Sequence, residues 1–210
     1  MDVRNLVFID EAGVHLGMTR LWARAHQGQR AVDKVPRNRG TNVSLIGALS
    51  VDGRRSLKTN QDILEQHKLS VMQNRPLIKD VLICPKILQG LIASMTLNGS
   101  VDTKAFLSYV TEVLAPQLWV GAIVVMDNLK VHHAHSVRTA IESVGARVVF
   151  LPPYSPDLSP IELCWSKLKQ FLRSFAARTY EALNQAMTAA VNIITVNDVI
   201  GWFNHCGLFT

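Results

Sequence analysis

Two short apolar runs, Leu6-Val7-Phe8-Ile9 and Ile123-Val124-Val125-Met126, each end in an aspartate, Asp10 and Asp127. Four apolar residues without alternation suit a strand buried on both faces. An acid placed directly after such a run is delivered to the strand's C-terminal end. If the two strands are adjacent and parallel, their carboxylates sit side by side. Taken singly, each acid reads equally well as a polar residue leaving a buried strand.

Residues 43–49, 91–97 and 148–151 read as further strands, and residues 21–23 as a short one. Val51-Asp52-Gly53 carries a turn signal that should close a hairpin. Asp102 predicts the N-cap of a helix over 103–114, with Phe106, Leu107, Val110 and Val113 or Leu114 on one face. A second helix over 134–144 should stop at Gly145. A third spans 162–175, and Thr179 opens a last helical stretch towards Ile194. Early hairpins followed by β-α-β alternation imply an α/β fold, a mixed sheet with helices packed on its faces. A chain of 210 residues suits one domain with a sizeable core.

Residues 54–90 disturb this order, lying between two halves of an otherwise simple hairpin. They carry seven basic and three acidic residues, with a helical pattern only over 62–72. Hairpin tips tolerate added chain because loop-closure entropy grows slowly with length. The whole chain has a formal charge of +6, which fits a polyanionic partner. Its 48% hydrophobic content excludes a disordered chain. Cys84, Cys164 and Cys206 are far apart and odd in number, which argues against a disulfide framework and suits a reducing cytosol. No apolar run approaches the roughly 18 residues of a membrane span, and the first residues lack a signal-peptide layout. The expectation is a cytoplasmic protein with no membrane partner.

A third acid follows the rigid run Leu151-Pro-Pro-Tyr-Ser-Pro-Asp-Leu-Ser-Pro-Ile-Glu162. Ser159 can be the N-cap, Pro160 the first and Glu162 the third residue of the next helix. That S-x-x-E spacing is also a capping box, so Glu162 reads either as a cap for its own helix or as a ligand. The flanking prolines fix the helix start relative to the strand before it, as a ligand would need. Two strand-end aspartates and a helix-borne glutamate are what a site for two hard cations requires.

Phe8-Ile9-Asp10-Glu11, then Met126-Asp127-Asn128 with His132, then Pro153 to Glu162 with Trp165 and Lys169, resemble the DDE transposases, in their bacterial insertion-sequence branch of the Tc/mariner superfamily. Thirty-four residues lie between Asp127 and Glu162, the short spacing of that superfamily. The closing Trp202-Phe203-Asn204-His205-Cys206-Gly207 is similar to the tail of these proteins. The resemblance implies an RNase H-like five-stranded mixed sheet with helices on both faces. It implies two Mg²⁺ or Mn²⁺ ions held by Asp10, Asp127 and Glu162, and cleavage and joining of double-stranded DNA at transposon ends. It also places an insertion at 54–90, and leads one to expect an N-terminal helix-turn-helix region that this chain lacks. Serine stands at 159 where the family usually has asparagine.

Arg24, Asn128, His132, Lys167 and Lys169 are the candidate DNA contacts. Asn128 reads also as a brace for the loop after its strand, His132 as a residue orienting the site, and the two lysines, with Arg173, as a solvated helix face. Glu11, on the opposite face of a continuing strand from Asp10, reads as structural, and Trp165 as core. His132-His133-x-His135 has no cysteine or carboxylate at ligand spacing, which argues against zinc. Expected partners are transposon inverted-repeat ends and target DNA, with a second copy of the chain and an upstream-encoded recognition chain left open. The alternative function is a remnant that binds DNA without cutting it. An RNA-strand hydrolase on the same fold is disfavoured by the proline-rich motif.

Overall fold

The apolar runs pair as their composition requires. In the computed structural model, which describes residues 2–51 and 90–209, β1 (Leu6–His15) lies parallel to β4 (Ile123–Met126), with Leu6, Val7 and Phe8 opposite Ile123, Val124 and Val125. From Phe8 to His15 the same strand runs antiparallel to β2 (Asn42–Leu49). β3 (Leu91–Asn98) extends the meander, and β5 (Arg147–Phe150) pairs parallel with β4. The sheet order is β3-β2-β1-β4-β5, a mixed five-stranded sheet.

Alternation along β1 divides the core. Leu6, Phe8, Ala12 and Val14 face one layer of helices. That layer contains α3 (Pro160–Phe175), α4 (Tyr180–Asn192) and α5 (Val196–His205). Val7 and Ile9 face the other layer, built from α1 (Thr103–Ser108), the wide π-helical turn Tyr109–Leu114, and α2 (His135–Glu142).

Several elements depart from the sequence reading. β1 continues past Ile9, because β2 supplies backbone partners as far as His15. Residues 21–23 form no strand: Leu21 and Trp22 are exposed, in a connection whose backbone has no strand to pair with. Asp102 does cap α1, accepting the Ala105 N–H at 2.8 Å. The helix then widens at Tyr109, which turns Tyr109 inward and leaves Leu107 only partly buried. Beyond α4 the chain forms a separate helix, α5, closed by a reciprocal Thr195–Asp198 capping box. The Val51-Asp52-Gly53 turn and the helical pattern over 62–72 fall at or beyond the edge of the described residues.

Gly90, which sequence reading makes the last residue of the added segment, lies directly before β3. It is buried, and its carbonyl accepts the Ser50 N–H at 2.7 Å. Its φ of +124° and a Val199 methyl lying where a Cβ would project leave room for glycine alone. Positions 50 and 90 are thus adjacent in space.

Candidate active site

Asp10 sits where the parallel pairing of β1 with β4 has ended. Extending the Phe8–Val125 register by two residues brings it level with Asp127, on the sheet face that carries Leu6 and Phe8. Neighbouring strands lie about 4.8 Å apart, so the two acids are neighbours. α3 crosses this face and adds Glu162 from its first turn. Asp10, Asp127 and Glu162 line one cavity of about 440 Å³, walled on the other side by Pro152, Pro153 and Tyr154.

The start of α3 resolves the double reading of Glu162. Ser159, Pro160 and Glu162 occupy the N-cap, first and third positions, as the motif predicts. The reciprocal cap does not form. A 3-10 turn over Pro156–Leu158 precedes the helix, and the Ser159 N–H donates to the Pro156 carbonyl at 2.9 Å. That N–H is the donor a capping glutamate would accept. Ser159 likewise makes no side-chain cap bond. Glu162 is left exposed at the cavity.

Two residues position Asp10. The Trp165 Nε1–H donates to its Oδ2 at 3.0 Å, and the indole is buried. Gly47 lies directly opposite Asp10 on β2, and a Cβ there would stand 2.6 Å from Trp165 Cη2. The missing side chain makes the hollow in which the indole lies. Burial pushes the Asp10 carboxyl up to about 7, and the charges of Glu162, Glu11 and Asp127 add to the rise against a backbone hydrogen bond at Glu11.

Asp127 is held from the other side of the sheet. His132 is completely buried; its Nδ1 lies 2.7 Å from Asp127 Oδ1, and its Nε2 lies 3.0 Å from Glu11 Oε1. The Leu129 N–H also donates to Asp127 Oδ1, at 3.1 Å. Burial alone would raise Asp127 and lower His132. The hydrogen bonds outweigh it in both, holding Asp127 below the usual carboxylate range and raising His132 to about 9. Phe106 packs against the imidazole, ring centres 4.4 Å apart.

The candidate DNA contacts divide. His132 is fully buried and has no surface to offer a phosphate. Asn128 braces its loop, its Nδ2 donating to the Leu151 carbonyl, while remaining exposed at the cavity. Lys167 reaches across to α5 and pairs with Asp198 at 2.6 Å, so its charge is already engaged. Lys169 and Arg173 meet His15 at a hollow on the far part of α3. Arg173 continues into a second hollow with Arg20 and Gln170. Burial first, then the neighbouring Arg39 and Arg173, hold His15 below its ordinary pKa, against a backbone hydrogen bond at Arg39. Arg24 is exposed in the connection between β1 and β2, shortly after Arg20 in sequence, but lines neither hollow.

Sequence reading missed the role of Trp165, whose only signal was its place three residues after Glu162. It also missed Gly47, since an unremarkable glycine within a strand gives no sign of what it accommodates.

Residues 83–184 match the DDE superfamily endonuclease family, a stretch that includes Asp127 and Glu162. That stretch, just under half of the chain, is what is similar to the family. The fold of this chain resembles the protein in the Mos1 strand transfer complex, with a TM-score of 0.64 at 17% identity, over 98% of this chain and 52% of that one. It resembles equally the Mos1 mariner paired end complex with Mn, with a TM-score of 0.65 at 15% identity, over 99% and 53%. These likenesses extend the RNase H-like fold to the part of the chain that carries Asp10. The chain spans about half the length of these solved structures. No curated protein matches its sequence.

Hard, oxygen-only donors suit a magnesium-like cation. Burial is the main cause of the raised carboxyl of Asp10, with the neighbouring acids adding to it, and a cation in the cavity would offset both. Among the described residues, no three His, Cys, Asp or Glu side chains are already drawn into a metal cage. The acids share the cavity without closing on a common point.

Proposed function

We propose that this domain is the catalytic part of a DNA transposase, with Asp10, Asp127 and Glu162 as the ligands of two divalent ions, Mg²⁺ or Mn²⁺. The observation that carries this reading is the convergence of the three acids, from two strands and a helix, on one cavity. In it, Asp10 and Asp127 hold both ions and Glu162 completes one site. Bound there, the cations supply the charge that activates a water or a DNA 3′-hydroxyl and stabilises the departing oxygen.

The chain's own residues orient and exclude. Trp165 keeps Asp10 Oδ2 in place, and the proline wall narrows the approach to the acids. A protein nucleophile is disfavoured: Cys164 is buried and its thiol is pushed up to about 12 by that burial. Ser159 is also buried, and Ser155 Oγ is bonded to the Pro153 carbonyl at 3.3 Å.

Double-stranded DNA is the substrate this reading requires. Glu162, Ser166, Lys169, Gln170 and Arg173 follow one face of α3, so the helix leads from the acids to the cationic hollows. From Glu162 to Arg173 the rise is roughly 16 Å, enough for two or three backbone phosphates. Lys169, with Arg173 and Arg20, is the contact this supports; Arg24 and Asn128 are secondary ones. Mos1 structures include paired-end and strand transfer complexes. An equivalent pairing of transposon ends here calls for a second copy of the chain.

Replacing Asp10 by Asn tests the reading. It should abolish Mn²⁺-dependent cleavage of duplex DNA, with the circular dichroism spectrum and most DNA binding retained. Equal cleavage by both proteins would overturn it.

A further inference from the structure

The acids are served by a device on the opposite side of the sheet. Glu11 follows Asp10 in β1 and therefore points to the other face, among Val7, Ile9 and the Tyr109 layer. Its side chain is only 13% exposed, and its Oε2 is buried with no hydrogen-bond partner. A carboxylate in that position carries a desolvation cost that a neutral side chain would not. Among the described residues its polar contact is His132, which is fully enclosed. His132 in turn reaches Asp127, whose same Oδ1 also receives the Leu129 N–H.

The chain Glu11–His132–Asp127 thus joins the two faces of the sheet and ends on one oxygen of a cavity carboxylate. Both imidazole nitrogens face carboxylate oxygens, which only accept when ionised, so both donate. A ring held at both ends cannot rotate about its long axis without losing a bond. Asp127 Oδ1 is engaged by this ring and by its own loop, so its other oxygen is the one directed to the cavity.

We infer that Glu11 and His132 are positioning residues: Glu11 fixes the His132 ring, and the ring sets which oxygen of Asp127 is presented to a cation. The inference rests on the metal-site reading above and adds a part to it. Partners that orient a ligand in this way typically change metal affinity ten- to a hundredfold when removed. Glu11 acts at a distance, through one buried ring, on a residue it does not touch.

The test uses two readouts on the folded chain. The first is the backbone amide signal of Leu129 in metal-free protein, which reports its bond to Asp127 Oδ1. The second is Mn²⁺ affinity measured by calorimetry. Glu11→Ala should displace the Leu129 signal and weaken Mn²⁺ binding at least tenfold. Glu11→Gln, which retains an amide oxygen for the ring, should leave both near wild type. His132→Asn is too short to span both contacts and should match or exceed the effect of Glu11→Ala; it also serves if that variant does not fold. The double variant should be no worse than His132→Asn alone, because one path is already broken. An unmoved Leu129 signal in both single variants would overturn the inference, as would effects that add in the double variant. Mn²⁺ affinity unchanged by Asp10→Asn would overturn the metal-site reading instead, and the Leu129 signal would still judge the positioning chain.

Discussion

Glu162 occupies the third position of α3 and caps nothing, because Pro156 takes the hydrogen bond that a cap would need. Glu162→Gln should therefore leave thermal stability within about 0.5 kcal/mol of wild type, while DNA cleavage falls below detection. A clear drop in melting temperature would reinstate the capping role. The acids themselves were legible because an unbroken apolar run followed by an acid is a local pattern. Their supports were not. The Trp165–Asp10 bond spans 155 positions in sequence and depends on a Cβ that Gly47 does not have. His132 stands among Lys130, His133 and His135 and reads as a surface residue; only the packing of Phe106 against it shows otherwise.

Among the elements, the pairing of α3 with α5 departs furthest from expectation. Lys167 reads from sequence as a free cation on a solvated or DNA-facing helix. Its partner Asp198 lies in a helix beyond Ile194, where the last helical stretch expected from sequence ends. Asp198 accepts from Lys167 and from both the Thr195 N–H and hydroxyl, at 2.6, 2.8 and 2.7 Å. Burial opposes these bonds but they prevail, and the carboxyl lies below its ordinary value. A carboxyl depressed on folding stabilises the fold above its unfolded pKa, and that contribution is lost as the pH falls through the folded value. Asp198→Asn should cost about 1 kcal/mol at pH 7, the usual worth of a capping residue. The gap should narrow below about pH 4. Melting curves at pH 7 and pH 3 check this, and a gap independent of pH would show the charge to be immaterial. The π-helical turn after α1 was illegible for a different reason: periodicity alone does not mark where a helix takes one residue more per turn.

For the whole molecule, strand order and layering were readable because they follow from which apolar runs must be buried. The closeness of the two ends of the 54–90 segment was not, since the bond that sets Gly90 against Ser50, just beyond β3 and β2, joins residues far apart in sequence. With those two residues already adjacent, we propose that the intervening chain is an addition to the domain. Removing residues 54–89 should leave a protein that unfolds cooperatively at an equal or higher temperature; loss of the cooperative transition would show the segment to be integral. Helix α3 answers differently to a change in length. It offers Trp165 to the hollow over Gly47 and Glu162 to the cavity, and one extra residue between them would turn one against the other by about 100°. The 34 residues between Asp127 and Glu162 are joined by loops that can absorb a change. The three steps from Glu162 to Trp165 cannot, and a frame-preserving insertion of one codon there would silence the site while the sheet still formed.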